Sequence, residues 1–383
     1  MEQLKCGVQN YHWGKVGETS LVAKLALKGG HIDSIDSHAP YAELWMGGHP
    51  NKPSQILGSG TSIIDFMDEN KKQFGGESNL KYLFKVLSIS QPLSIQIHPD
   101  KAWAKVLHKA KPEIYKDDNH KPEIAIALTP FKALCGFRSL KDINENLSAI
   151  SLANPNAQEY LGLLVLKSEM DLKAVFIKLM ELEAEKVKAL VSSLLAAENF
   201  PYKEILTQLH EFFPYDRGCL CLYFLNYIEM KPGEAIFLEA LTPHAYIEGD
   251  CIECMALSDN VVRAGLTPKL IDVKTLQEIT NYKFSTEVDY RVVPKCVTEF
   301  NKVYLPPSID EFSVQCLKLT RSHSEALAHD KYTRILLVVE GDIEIKHLDN
   351  QKELSCGAVV LLYPQNDYTI ASNDQNSLVF IAY

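Results

Sequence analysis

Two periodicities divide this chain. Apolar residues run almost unbroken through LFKVLSI from Leu83 and through PLSIQIHP after it, then alternate through EIAIALTPFKALCGF from Glu123. Both are patterns of buried β-strands. From about residue 140 to 215 the spacing changes. EMDLKAVFIKLMELEAEKVKALVSSLLAAENF places apolar residues three and four positions apart with Glu and Lys between them, the period of amphipathic helices. PYKEILTQLHEFFPYD adds one more helix. Strand patterns resume at Leu220 in LCLYFLNYIEM and continue through AIFLEALTPHAYIEGDCIECMALS, broken by PG, TP and EGD. Beyond Ser308 strand follows strand, with turn signals at roughly ten-residue intervals, as in a small barrel or sandwich. The Gly, Pro and His punctuation of residues 1–60 predicts short strands rather than helices. A short helix is expected within 62–79 and another over 102–111, and residues 260–300 read as connecting structure.

The plan that follows is mainly β with an inserted α-helical domain. Residues 1–139 and 216–300 form one β unit, 140–215 the helical insertion and 301–383 a second β unit. Length agrees, since 383 residues exceed one ordinary domain.

Composition narrows the class. Apolar content of 46% and charged content of 23% are those of a folded globular protein. The formal net charge of −10 argues against non-specific nucleic-acid binding, but a local cationic pocket could still take a small anion. MEQLKCGVQNYHWG carries no apolar leader, and no run of about 18 apolar residues occurs, so no membrane span is expected. The nine cysteines are odd in number and scattered, and they read as reduced, mostly buried thiols of a cytoplasmic protein. Cys251 and Cys254 form a CxxC without a second pair, which reads as two core thiols. No obligate protein partner is inferred.

The chemistry centres on SIQIHPDK. On a strand Gln96 and His98 project from one face, half of a metal site. His120 and Glu123 stand where a polar loop enters a strand, and His244 stands near the start of another. Two imidazoles, a carboxylate and an amide suit a catalytic zinc with room for water. Their spacing alone leaves open that the histidines are ordinary buried hydrogen-bonding residues. The layout of KPGEAIFLEALTPHAY, a turn at Gly233, a strand and then Pro243-His244, resembles the second motif of a cupin barrel. QxH at 96–98 takes the place of the first.

The resemblance extends further. NYHWG (10–14), AELWMGGHP (42–50), LSIQIHPDK (93–101), YKDDNHKPE (115–123) and HAYIEGDCIECMALSDNVVRAGLTPK (244–269) are similar to blocks of the type I mannose-6-phosphate isomerases. The resemblance implies tandem cupin-like (jelly-roll) β modules and one Zn2+ per chain on Gln96, His98, Glu123 and His244. The family's active-site arginine falls on Arg263. The implied reaction interconverts mannose 6-phosphate and fructose 6-phosphate, both small phosphorylated sugars, through an enediol or enediolate.

Such an exchange needs a proton carrier and positive charge beside the developing enediolate. Arg263 is always charged and suits the electrostatic role. The proton carrier stays open among Glu253, Asp259, Lys121, Lys269 and His120. Glu253, in a strand with apolar neighbours, would be desolvated and its pKa raised. Ser94 and Lys269 are expected to help hold phosphate, and Lys121 and His120 to contact the sugar. An iron oxygenase and a non-catalytic sugar-binding cupin are the rival readings. In the last segment His323, His329 and His347 are scattered, and no second metal site is expected there.

Overall fold

The computed structural model describes residues 1–328, 330–373 and 375–383; His329 lies outside them. Its centre is the thirteen-residue strand His244–Ala256. The first part of that strand pairs with Phe131–Phe137 and touches Ile95–Ile97, with His244 opposite Gln96. The second part lies between Tyr82–Ile89 and Glu123–Ala127. Gly249 stands where the pairing changes. Its φ is +118°, and a Cβ there would lie 2.6 Å from the Pro130 carbonyl oxygen, so only glycine allows the crossing. One strand thus serves two walls of a barrel.

Side-chain alternation then sets what faces the barrel interior. On Tyr82–Ile89, Phe84 and Val86 point outward to a second β unit, whereas Leu87 and Ile89 point inward, and Lys85 shares their parity. On Glu123–Ala127, Ile124 and Ile126 point outward and Ala125 and Ala127 inward, which puts Glu123 inside. Ile95 and Ile97 pack against the helices, as do Val262 and Ala264 of the Val262–Gly265 strand. Gln96 and Arg263 are therefore inward. Cys251 and Cys254 belong to opposite faces of their strand, and both are free.

The insertion runs from Leu140–Ala153 to Lys203–Phe212, five helices with a short sixth turn at Gly218–Cys221. Ser139 and Ser168 cap two of them through their hydroxyls. Phe176 anchors it to the barrel, edge-on to Phe137 with ring centres 5.0 Å apart.

The last segment supplies five strands of an eight-stranded sheet, completed by Glu2–Lys5, Gln55–Ile56 and Lys295–Cys296, and all of a four-stranded sheet. Strand Arg334–Glu340 sends Ile335, Leu337 and Val339 toward the barrel and Leu336 and Val338 toward the smaller sheet. Both faces of the larger sheet are thereby buried. The opening strand Glu2–Lys5 joins this sheet beside Val359–Leu362.

Three expectations need correction. Residues 260–300, read as connecting structure, hold the strand Val262–Gly265 and a helix, Val273–Ile279. Residues 1–60 do hold a helix, Leu21–Lys28: Ser20 caps it, and LVAKLALK buries Val22, Ala23, Leu25 and Ala26. Strand structure does not resume at Leu220 but at Leu225. CLCLYF is apolar throughout and carries no period, so it could not declare itself a helical turn inside a core. Replacing Phe176 by Ala should cost about 3–5 kcal/mol, read as a lower urea midpoint, because its ring fills the joint between insertion and barrel.

Candidate metal centre and active site

His98, Glu123 and His244 meet inside the barrel, with one candidate ligand atom from each within 4.8 Å of the others. All three are buried. The Nδ1 of His98 lies 2.7 Å from the Asn260 carbonyl oxygen, and the Nδ1 of His244 lies 2.9 Å from that of Thr242. A carbonyl only accepts, so each Nδ1 carries the proton and each Nε2 presents a lone pair. Those two Nε2 atoms stand 3.5 and 3.4 Å from the two oxygens of Glu123. Lone pairs thus face a carboxylate, and His98 Nε2 has no hydrogen-bond partner. Only a cation between them satisfies all three. The side chain of Gln96, on the strand between His244 and Arg263, adds an amide on the same face. The donor set of two imidazoles, a carboxylate and an amide fits zinc.

Electrostatics agree with that geometry. Burial drives the His98 imidazole down to about 4, reinforced by Lys121. Burial alone would raise Glu123, but Lys121, whose Nζ lies 3.2 Å away, and the two imidazoles hold it well below the carboxylate range.

Beside this cluster lies a second one. Lys85 reaches Glu253 at 3.0 Å and Glu43 at 3.5 Å, all three buried. Burial works against the Lys85 charge, yet Glu253 and Glu43 keep it protonated. Burial pushes Glu253 up despite Lys85. The Trp45 indole N–H donates to Glu43.

A cavity of about 460 Å3 opens over Lys85 and Glu43, and a smaller pocket of about 80 Å3 lies against Glu123, His244 and Glu253. Ser94, Gln96 and Lys121 line both. Arg263, Asp259 and Lys269 line the larger one, and Glu253 the smaller. Asp259 takes His49 at 3.3 Å and the Asn51 amide at 3.1 Å. Arg263 is half-buried, and burial lowers its pKa; no anionic partner stands beside it among the described residues. His120 does not line either space. It turns outward and its Nε2 lies 2.8 Å from Glu311.

Lys85, Glu43 and His49 escaped the sequence reading. Lys85 did leave a signal: it is the one charge in an eight-residue strand that is otherwise apolar or small. Asp216 also escaped it. Its Oδ1 accepts the N–H groups of Gly218 and Leu266, both at 2.6 Å, joining the end of the insertion to the turn between the Arg263 strand and Lys269.

Comparison with known proteins places these residues in a family. The model of the type I phosphomannose isomerase catalytic domain matches residues 1–140, and that of the same family's helical insertion domain matches 147–225. Mannose-6-phosphate isomerase of Macaca fascicularis is 43% identical over 375 residues, which cover 89% of this chain and 87% of that one. The Schizosaccharomyces pombe enzyme is 37% identical, covering 100% of this chain and 99% of its own. A crystal structure of mannose 6-phosphate isomerase bound with zinc and yttrium superposes with a TM-score of 0.86 at 30% identity, covering 99% of this chain and 98% of that one.

Acid should weaken the metal-free protein. Folded His98 titrates at about 4 against an ordinary 6.5, so between those values the unfolded chain binds more protons and stability falls as pH falls. Glu123, held low, adds a further loss at the acid end. Urea unfolding in chelator across this range should show the decline, and His98→Gln should flatten it.

Proposed function

The chain belongs to the type I phosphomannose isomerase family and interconverts mannose 6-phosphate and fructose 6-phosphate, and we propose that it does so with one zinc ion per chain held by Gln96, His98, Glu123 and His244. Zinc would supply a Lewis acid without redox chemistry, polarising or positioning the sugar oxygens.

The remaining work falls to the protein's own side chains. Glu253 is the proton carrier of this reading. It lines the inner pocket, and burial gives its carboxyl the raised pKa that exchange with a carbon acid requires. Lys85 holds that carboxyl in place at 3.0 Å. Lys121 stands between Glu123 and the cavity and offers its charge to the enediolate. Asp259 is engaged by His49 and Asn51, which suits a wall residue better than a proton carrier.

Arg263 is the observation that carries the substrate reading. A half-buried guanidinium without an acid beside it, in one cavity with Gln96 and Lys121 and next to the smaller pocket against Glu123 and His244, asks for an anionic ligand. Ser94 and Lys269 line the same space and serve the phosphate. The cytoplasm is the proposed location; nine free cysteines suit a reducing compartment, and among the described residues no helix is long and apolar enough to cross a membrane.

A coupled assay from mannose 6-phosphate to fructose 6-phosphate should show turnover that chelator abolishes and zinc restores. A folded, zinc-loaded protein without turnover would sink the reading. His244→Ala should lose metal and activity together. Arg263→Ala should keep zinc while kcat falls by about 10²–10³; loss of zinc would show that its role has been misassigned. Glu253→Gln should stop exchange of the substrate's C2 hydrogen with deuterated solvent.

A further inference from the structure

The turn ahead of strand Val314–Leu319 reaches from the C-terminal β unit to the catalytic one. Its carboxylate, Glu311, accepts from two donors through one oxygen: Lys101 Nζ at 2.6 Å and His120 Nε2 at 2.8 Å. Neither donor is a metal ligand, but each stands three residues from one. Lys101 follows His98 and opens helix Lys101–Ala110, whose N-terminus is capped by Asp100. His120 precedes Glu123 in a loop without regular structure. The same carboxylate therefore ties together the two segments that present His98 and Glu123.

We infer that Glu311 is a positioning residue for the metal centre, fixing from the C-terminal unit the separation of the His98 and Glu123 segments. This rests on the zinc reading above.

Three features support a positioning role over an incidental surface pair. First, the side chains of Glu311 and His120 are only 16% and 12% exposed, so their contact is largely shielded from water, whereas Lys101 at 59% adds a weaker, screened attraction. Second, the Glu311 backbone is held: Phe312 next to it is buried in the core shared by the two units, and strand pairing begins two residues later. Third, the loop it grips is linked to the ligands by a chain of hydrogen bonds. Asn260 takes the His98 Nδ1 proton on its carbonyl and donates its amide to the carbonyls of Asp117 and Asn119. Glu311 closes that chain from outside. Burial would raise its pKa, but Lys101 and His120 hold it down at about 2, so the clamp stays ionised under all ordinary conditions.

The test is zinc affinity, by competition with a chromophoric chelator, in the full-length protein. Glu311→Ala should bind zinc about tenfold more weakly, the size of effect seen when partners of metal ligands are removed. Glu311→Gln keeps the shape and the acceptor without the charge and should lie between wild type and Ala. With cobalt in place of zinc, the visible d–d bands of Glu311→Ala should shift. Wild-type zinc affinity and an unchanged cobalt spectrum in Glu311→Ala, with only a lower melting temperature, would overturn the inference. If the alanine variant does not fold, the glutamine variant decides: affinity equal to wild type overturns it, weaker binding supports it. His244→Ala separates the two levels. If it binds zinc as tightly as wild type, the zinc reading has failed; if it alone loses zinc, only the role of Glu311 has.

Discussion

Two imidazole lone pairs pointing at one buried carboxylate form an arrangement that no protein folds toward without compensation. His98 and His244 are locked in that orientation by backbone carbonyls on their far nitrogens, so neither can turn to donate a hydrogen bond to Glu123. The repulsion must be answered by a proton or by a metal ion. Burial makes the proton costly, as the depressed His98 shows. The ion is the better answer, and the folding of this region and its chemistry are then coupled to the same binding event.

Strand alternation brings the ligands to that point. Gln96, Glu123, His244 and Arg263 come from four strands, and each is the inward member of an alternation whose outward members are apolar. This part was legible in the sequence, because QxH and the strands around it carry their own period. The pairing of those strands was not. That His244 lies opposite Gln96, and Gln96 opposite Arg263, depends on register between segments separated by the whole helical insertion. Periodicity reports which face a residue takes, not which strand it meets. The blocks similar to the isomerase family supplied that missing link.

Residues that act through charge alone were the hardest to read. Lys85 pairs with Glu253 and Glu43, which come from strands far apart in sequence, and no spacing in the chain announces that cluster. His120 shows the converse. It sits in a family-like block three residues before a ligand, yet its ring leaves the cavity and meets Glu311, a residue of the unit that sequence alone made a bystander. That unit is bound more closely than a linked module would be. Its larger sheet buries both faces, takes in the first strand of the chain, and receives the Tyr82 hydroxyl on the carbonyl of Ala382.

Charge balance explains how a chain of net charge −10 can receive a phosphorylated sugar. Around the two clusters, Lys85 and Lys121 face Glu43, Glu123 and Glu253, so the built-in groups sum to one negative charge when all are ionised. A divalent ion turns that sum positive by one. The lysines are already committed to carboxylates, so they cannot also neutralise a phosphate. Arg263 and Lys269 can, since neither has an ion-pair partner among the described residues, and both line the outer cavity. The acidic balance belongs to the rest of the surface. The outer cavity also holds Asp259 and Glu43, but those carboxylates are engaged by His49 and Asn51 and by Lys85 and Trp45, which leaves Arg263 and Lys269 without a carboxylate of their own.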